Sequence, residues 1–174
     1  KINDTANRLK RANQLIGGLG GERTRWATKS KELAETYTNL LGDLSVCAAV
    51  VTYLGPFGHS YRMAATADWL RTIKAVKDGL PATPTRQFSL VHVLGDPILI
   101  DDWKIHGLPA DQFSIDSAVI MKNASKPPLF IDPQTSASRW IRSHEKSNGL
   151  RPLRLTDADY SRVLEGAVSS GVPV

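Results

Sequence analysis

Eight residues, Asp132, Pro133, Gln134, Thr135, Ser136, Ala137, Ser138 and Arg139, stand where a phosphate-binding loop would stand. An apolar run (Leu129, Phe130, Ile131) precedes them and a helix-forming stretch follows. That is the strand–loop–helix setting of the P-loop pattern G-x-x-x-x-G-K-[ST], in which glycine-rich backbone N–H groups and a lysine hold phosphates. Aligned by this setting, Asp132 takes the place of the first glycine, Ala137 the second, Ser138 the lysine and Arg139 the hydroxyl residue. Asp132 adds negative charge where phosphates would sit, and Pro133 removes an N–H. Arg139 is cationic but lies one residue past the lysine position. The turn reads as a degenerate nucleotide site, and neither a cofactor nor catalysis is expected on it.

Other chemistry fares no better. The four histidines (His59, His92, His106, His144) are scattered without metal-ligand spacing, so no metal site is expected. No G-x-S-x-G elbow appears, so Asp132 and His144 make no hydrolase constellation. Asp101, Asp102, Asp111 and Asp116 form a loose acidic set better read as caps and turns. Cys47 lies in the apolar run "VCAAVV", where burial raises a thiol pKa and makes it inert. A lone cysteine cannot form an internal disulfide, which favours a reducing compartment.

The elements around the turn alternate. The pattern predicts a strand over Leu129 to Ile131, a helix over Ser136 to Lys146, and a strand over Pro152 to Leu155. A helix then opens near Thr156 or Asp157 and runs to Ser169, Gly171 closes it, and "VPV" begins another strand. Such alternation means a parallel sheet with covering helices, an α/β architecture whose ligands bind beyond the carboxyl ends of strands. Upstream, a buried helix over Leu44 to Leu54 is stopped by Gly55-Pro56, and a second helix spans His59 to Lys77. Residues 80–86 form a loop, Trp103 lies in the core, and "FSIDSAVIMKNAS" forms a helix capped at Ser114 or Asp116.

The first forty residues follow a different rule. Ile2, Leu9, Ile16 and Tyr37 keep one heptad series, and Ala12, Leu19, Trp26, Leu33 and Leu40 keep the other. Only Thr5, Arg23 and Ser30 miss, so nine of twelve seam positions are apolar, as in a coiled-coil strand. No second heptad strand is present, so its partner is expected outside this chain. The plainer alternative is a long amphipathic helix lying on its own domain. Within the seam, Gly17, Gly18, Gly20 and Gly21 cost a helix about 0.8–1 kcal/mol each, roughly 3–4 kcal/mol together. This is a soft point where the strand could bend or shift. Glycine also allows close backbone approach, so a packing role fits as well.

Bulk properties bound the rest. The chain has 174 residues, with 41% hydrophobic and 22% charged residues, ordinary for a globular domain. No apolar run approaches a membrane span of about 18 residues. The net charge of +5 is concentrated before residue 36, without the aromatic interleaving that nucleic-acid stacking would need. It reads as a solvated helix face. The chain begins in mid-pattern without Met or a targeting segment, and it stops where a strand is starting. It reads as a piece of something larger.

Several stretches, in order, resemble the dynein heavy chain family of ATP-driven microtubule motors: "RANQLIGGLGGERTRW", "LLGDLSVCAAVVTYLGPFGHSYR", "FSLVHVLGDPILIDDW", "GLPADQFSID", "PLFIDPQ", "WIRSHEKSNGL" and "YSRVLEGAVSSGVPV". "LIGGLGGE" and "YLGPF" are more similar to axonemal than to cytoplasmic members. The resemblance implies that residues 1–42 are the ring-proximal end of the stalk strand returning from the microtubule-binding tip. It implies that residues 43–174 are the start of the large subdomain of the fifth AAA+ module, which binds no nucleotide in this family. The implied partners are the outgoing stalk strand, neighbouring AAA+ modules, microtubules at the distant tip, and intermediate and light chains. ATP and Mg²⁺ would belong to other modules of the parent motor, a minus-end-directed ATPase, here of a ciliary or flagellar axoneme. No nucleic acid or membrane partner is implied. The chain departs from the family at "IDPQTSASRWIR", where Thr135 replaces a glycine and Ser138 an asparagine. It departs again at "KPPLFIDP", where an Arg-Trp-Pro is usual, and at Asp101, where an arginine often stands. Two other readings remain at this point: a cryptic nucleotide-binding module, and a coiled-coil adaptor with a small α/β head.

Overall fold

The computed structural model describes residues 2–76 and 79–174 and, within them, all side chains except those of residues 2–4 and 15. The seam position Ile2, as a side chain, and the helix end expected at Lys77 lie outside what is described.

Helix α1 (Ile2–Gly18) and helix α2 (Gly20–Tyr53) follow one another with only Leu19 between them. Leu19 keeps right-handed helical angles (φ −82°, ψ −8°), and the Arg23 N–H still reaches its carbonyl at 2.9 Å. The helix is therefore interrupted at the glycine cluster but not turned back. A Cβ at Gly17, Gly18, Gly20 or Gly21 would meet nothing within 4 Å, so none of these glycines is held by packing within the described residues. The seam is equally unpacked: Leu9, Ala12, Ile16, Leu19, Leu33 and Leu40 are exposed, with Trp26 at 70% and Tyr37 at 81%. This excludes the alternative in which the long helix lies along its own domain. Pairs one turn apart, such as Arg25 with Glu22 at 2.6 Å, are solvent-facing and contribute little.

Burial begins abruptly at Gly42. From there Asp43, Val46, Cys47 and Val50 form one stripe of α2, spaced by three, one and three residues, and Leu54 continues it beyond the helix end. The stripe packs against α3 (His59–Ala75), α4 (Leu90–Leu94) and α6 (Gln112–Asn123). Gly42 is required here, because a Cβ would collide with the Pro81 carbonyl and come within 2.8 Å of the Ala82 Cβ. The buried Asp43 carboxylate accepts the Thr83 N–H at 2.8 Å and the Thr83 hydroxyl at 2.6 Å, which ties loop 80–86 to the helix. Cys47 is 1% exposed, and burial, with Asp43 adding to it, pushes its thiol up to about 12.

Gly55-Pro56 stops α2 as expected, and Arg62 organises the turn that follows. Its guanidinium, on a side chain buried in the core, donates to the Leu54 carbonyl at 3.0 Å, the Phe57 carbonyl at 2.8 Å and the Gly55 carbonyl at 2.8 Å. It also donates to the Ser117 hydroxyl at 3.0 Å and lies 4.5 Å above the Phe113 ring, both on α6. One side chain thus joins the end of α2, the start of α3 and the face of α6. Desolvation lowers the Arg62 pKa and raises that of Asp116, while their mutual attraction opposes both shifts.

Helix α5 (Pro97–Ile105) starts on the Asp96 cap and carries Trp103 into the core. Helix α6 is capped by Asp111, which accepts the Ser114 N–H at 2.9 Å, and not by Ser114 or Asp116. Helix α7 (Ser136–His144) runs into a 3₁₀ turn (Glu145–Asn148). Helix α8 (Tyr160–Ser170) starts later than the expected Thr156 or Asp157, because Asp157 instead accepts the Arg154 N–H and closes a turn. Gly171 closes α8 with φ 67°.

The expected parallel sheet does not form among the described residues. Segment 129–131 has no regular secondary structure and is exposed, with Leu129 at 92% and Ile131 at 90% exposure. A parallel strand is buried on both faces by flanking strands and covering helices, and none flank it here. Segments 150–155 and 172–174 do approach each other, through one bond from the Arg151 N–H to the Pro173 carbonyl at 3.1 Å. Among the described residues, no helix is long and apolar enough to cross a membrane.

Arg62→Ala should destabilise the folded head by about 2–4 kcal/mol, because the Gly55 and Phe57 carbonyls lose the guanidinium that gathers them and the Leu54 carbonyl keeps only the Phe57 N–H. Arg62→Lys should recover only part of this, since an ammonium lacks the planar fork. Urea unfolding monitored at the buried tryptophans checks the order wild type, lysine, alanine.

Candidate functional site

The turn at 132–139 is built around one carboxylate. Asp132 Oδ1 accepts the Ser136 N–H at 3.0 Å and the Ser136 hydroxyl at 3.4 Å, and Oδ2 accepts the Ser138 N–H at 2.9 Å. These amides belong to the first turn of α7, whose N–H groups have no partner within the helix and make a ready anion site. A P-loop offers such groups to phosphate. Here the chain supplies its own anion, and the site is satisfied from within.

The rest of the turn follows. The Thr135 N–H reaches the Asp132 carbonyl at 3.2 Å, with Pro133 and Gln134 at the corner. Thr135 then takes a left-handed conformation (φ 58°, ψ 18°), the one non-glycine residue with positive φ among those described. An L-residue there costs about 1–2 kcal/mol relative to glycine. Ala137 is half-buried, and Arg139 is exposed on the first turn of α7. Two open grooves, of about 360 and 420 Å³, lie elsewhere. The first lies along α8 and includes Arg151 and Arg162; the second lies between the end of α2 and α3, beside Phe57 and Trp69. Neither includes a residue of the turn.

Behind α7 lies a second constellation, which sequence spacing alone did not bring out. Trp140, 1% exposed, packs edge-to-face on Trp103 with ring centroids 5.8 Å apart, holding α7 against α5. This brings His144, at the end of α7, beside Asp102 and His106 at the end of α5. Asp102 Oδ2 is 3.3 Å from His144 Nδ1, and Oδ1 is 3.4 Å from His106 Nδ1. One donor atom from each residue lies within 4.8 Å of the others. The fold thus brings together two histidines that are 38 residues apart in the sequence, with Asp102 between their rings. The visible signal was Asp102 and His106, four apart on one helix face; the third group needed the packing of α7 on α5. Asp101 and Asp111, by contrast, act as surface ion-pair and cap.

The chain matches two family models. Residues 1–72 match the microtubule-binding stalk of the dynein motor, and residues 101–174 match the ATP-binding dynein motor region. It is 43% identical over 170 residues to dynein axonemal heavy chain 3 of Homo sapiens, covering 97% of this chain and 4% of that protein. It is 37% identical over 173 residues to human dynein axonemal heavy chain 1 and 36% identical over 170 residues to human dynein axonemal heavy chain 6, with 99% and 98% of this chain covered. The chain spans about 4% of the length of these relatives.

Two substitutions test the account of the turn. Asp132→Ala should weaken the start of α7 by about 1 kcal/mol through loss of its cap. Thr135→Gly should strengthen it by about 0.5–1 kcal/mol, as relief of positive φ outweighs the added chain entropy. Amide exchange over residues 136–144 should quicken in the first and slow in the second; unchanged rates in both would remove the capping account.

Proposed function

Since the chain belongs to the dynein heavy-chain family, we propose that it works as a mechanical relay between the motor's AAA+ ring and its microtubule-binding stalk. In this reading residues 1–42 are the ring-proximal end of the returning stalk strand, and residues 43–174 open the fifth AAA+ module. The observation that carries it is helix α2, one 34-residue element exposed along its seam at one end and sunk into a helical core at the other. The onset of burial at Gly42 supports the boundary.

The missing seam partner is the outgoing stalk strand. The exposed Leu9, Ala12, Ile16, Leu19, Trp26, Leu33, Tyr37 and Leu40 supply the apolar face it would cover. Segments 129–131, 150–155 and 172–174 are strands of the module's parallel sheet, completed by other parts of the heavy chain. Leu129 and Ile131 then become buried together on one face, with Phe130 on the other. Gly17, Gly18, Gly20 and Gly21 form the hinge at which the stalk strand changes register or bends.

The module itself does no nucleotide chemistry. Asp132 fills the anion position of the turn, so ATP and Mg²⁺ belong to other modules of the parent chain, which turns over ATP as a microtubule motor. The axonemal heavy chains it is similar to support a place in a ciliary or flagellar axoneme. Intermediate and light chains are partners of that whole assembly.

Two experiments test this reading. Photolabelling the intact heavy chain with an azido-ATP analogue should leave residues 132–139 unmodified while labelling other modules. Specific, ATP-competed labelling of this turn at micromolar nucleotide would overturn the inert-module assignment. Separately, replacing the four hinge glycines with alanine restores about 3–4 kcal/mol of helix propensity. This should stiffen the strand and weaken the coupling between ATPase rate and microtubule affinity, by an amount read from microtubule co-sedimentation in different nucleotide states. Coupling at the wild-type level would rule the hinge out.

A further inference from the structure

We propose that Asp102, His106 and His144 form a zinc site that clips the end of α5 to the end of α7. The inference goes beyond the relay reading and does not depend on it. Two imidazoles and a carboxylate are a donor set suited to zinc, whereas Mg²⁺ and Ca²⁺ select oxygen ligands. The spacing fits. Ligands on a tetrahedral zinc with bonds of about 2.0–2.1 Å sit roughly 3.3 Å apart, and Asp102 Oδ2 lies 3.3 Å from His144 Nδ1. All three donor atoms fall within 4.8 Å, so small side-chain rotations close the set.

The second observation is an unmet need. His144 Nδ1 is buried and has no hydrogen-bond partner, although it lies beside a carboxylate oxygen. Leaving such an atom unsatisfied is costly, and a metal bond would satisfy it. The outer contacts also have the form of a metal site, in which a ligating histidine turns its other nitrogen toward a carboxylate. His144 Nε2 faces Glu145 Oε1 at 3.7 Å, and Glu145 is held in turn by Asn148 Nδ2 at 2.7 Å. His106 Nδ1 is 2.9 Å from the Asp102 carbonyl, which holds that ring against its own helix end. The Trp103 and Trp140 rings, in edge-to-face contact, bring the two helix ends that carry the ligands together.

Three protein ligands leave one position for water. Helix α7 begins at the Asp132 cap and would end at the metal, so it would be fixed at both ends.

The test is hydrogen–deuterium exchange on the intact heavy chain, stripped with EDTA and then given micromolar Zn²⁺ or Mg²⁺. Zinc should slow exchange several-fold at residues 102–106 and 141–148, and magnesium should not. The effect should vanish in His144→Ala and in His106→Gln, and each variant should lose one zinc per chain by elemental analysis. His106 is partly exposed at a helix end, so its variant keeps the test open if His144→Ala loosens the packing. Equal exchange with and without zinc in the wild-type chain, or zinc protection and content that survive in His106→Gln, would overturn the proposal.

Discussion

The head of this chain depends on a single guanidinium. A helix of 34 residues leaves its last carbonyls without intrahelical partners, and the sharp Gly55-Pro56 stop removes the usual ways of covering them. Arg62 collects three of the carbonyls in the turn and fixes itself to Ser117 and Phe113 on a third helix. A buried cation is costly unless fully hydrogen-bonded, and here the carbonyls and the nearby Asp116 meet that requirement. The direction in which α2 leaves the core is set by that one residue together with the close contact at Gly42. Everything along the exposed seam inherits its orientation from this joint.

The degenerate turn obeys a related economy. A helix N-terminus attracts an anion whether or not the anion is a ligand. With Asp132 in place of glycine, the amides that would cradle a phosphate bind a carboxylate six residues or fewer upstream. The first turn of α7 thus holds a permanent anion supplied by its own chain. Thr135 shows what the change costs, because the left-handed position that glycine would fill without strain is held by a β-branched residue.

Much of this was legible in the sequence because it rests on local rules. The Gly55-Pro56 stop, the Gly171 close and the buried run around Cys47 need only dihedral preference and hydrophobic pattern. The long helix that carries the heptad series was legible because its apolar positions repeat at helical spacing. The caps were less so: Asp111, Ser114 and Asp116 all qualify, and only the first helical residue decides between them. Arg62 was hidden because its role depends on where three carbonyls of an irregular turn point. The Asp102, His106 and His144 cluster was hidden because its third member is brought in by the packing of two tryptophans. The sheet is a different case, because it depends on more than local pattern. Strand pattern is local, but a parallel strand is stabilised by neighbours on both sides, and the chain around Leu129 to Ile131 provides none.

Stiffness and softness along α2 decide what kind of signal such a relay can pass. From Gly20 to Tyr53 the helix is one rod, about 51 Å long at 1.5 Å per residue. Its base is gripped at two levels, by Pro81 and Thr83 against Gly42 and Asp43, and by Arg62 beyond its end. In the proposed relay, a small tilt at the base would be carried along this helix toward Leu19. Leu19 has two glycines on each side with nothing packed on them, and there the displacement would be converted. Bending alone would dissipate it. An apolar seam closed by a second strand resists gradual sliding, because packed surfaces favour discrete arrangements over continuous deformation. In the proposed relay, a clamped base, a stiff shaft and a soft joint beneath a packed seam would turn a graded motion in the head into a step in the register of the stalk.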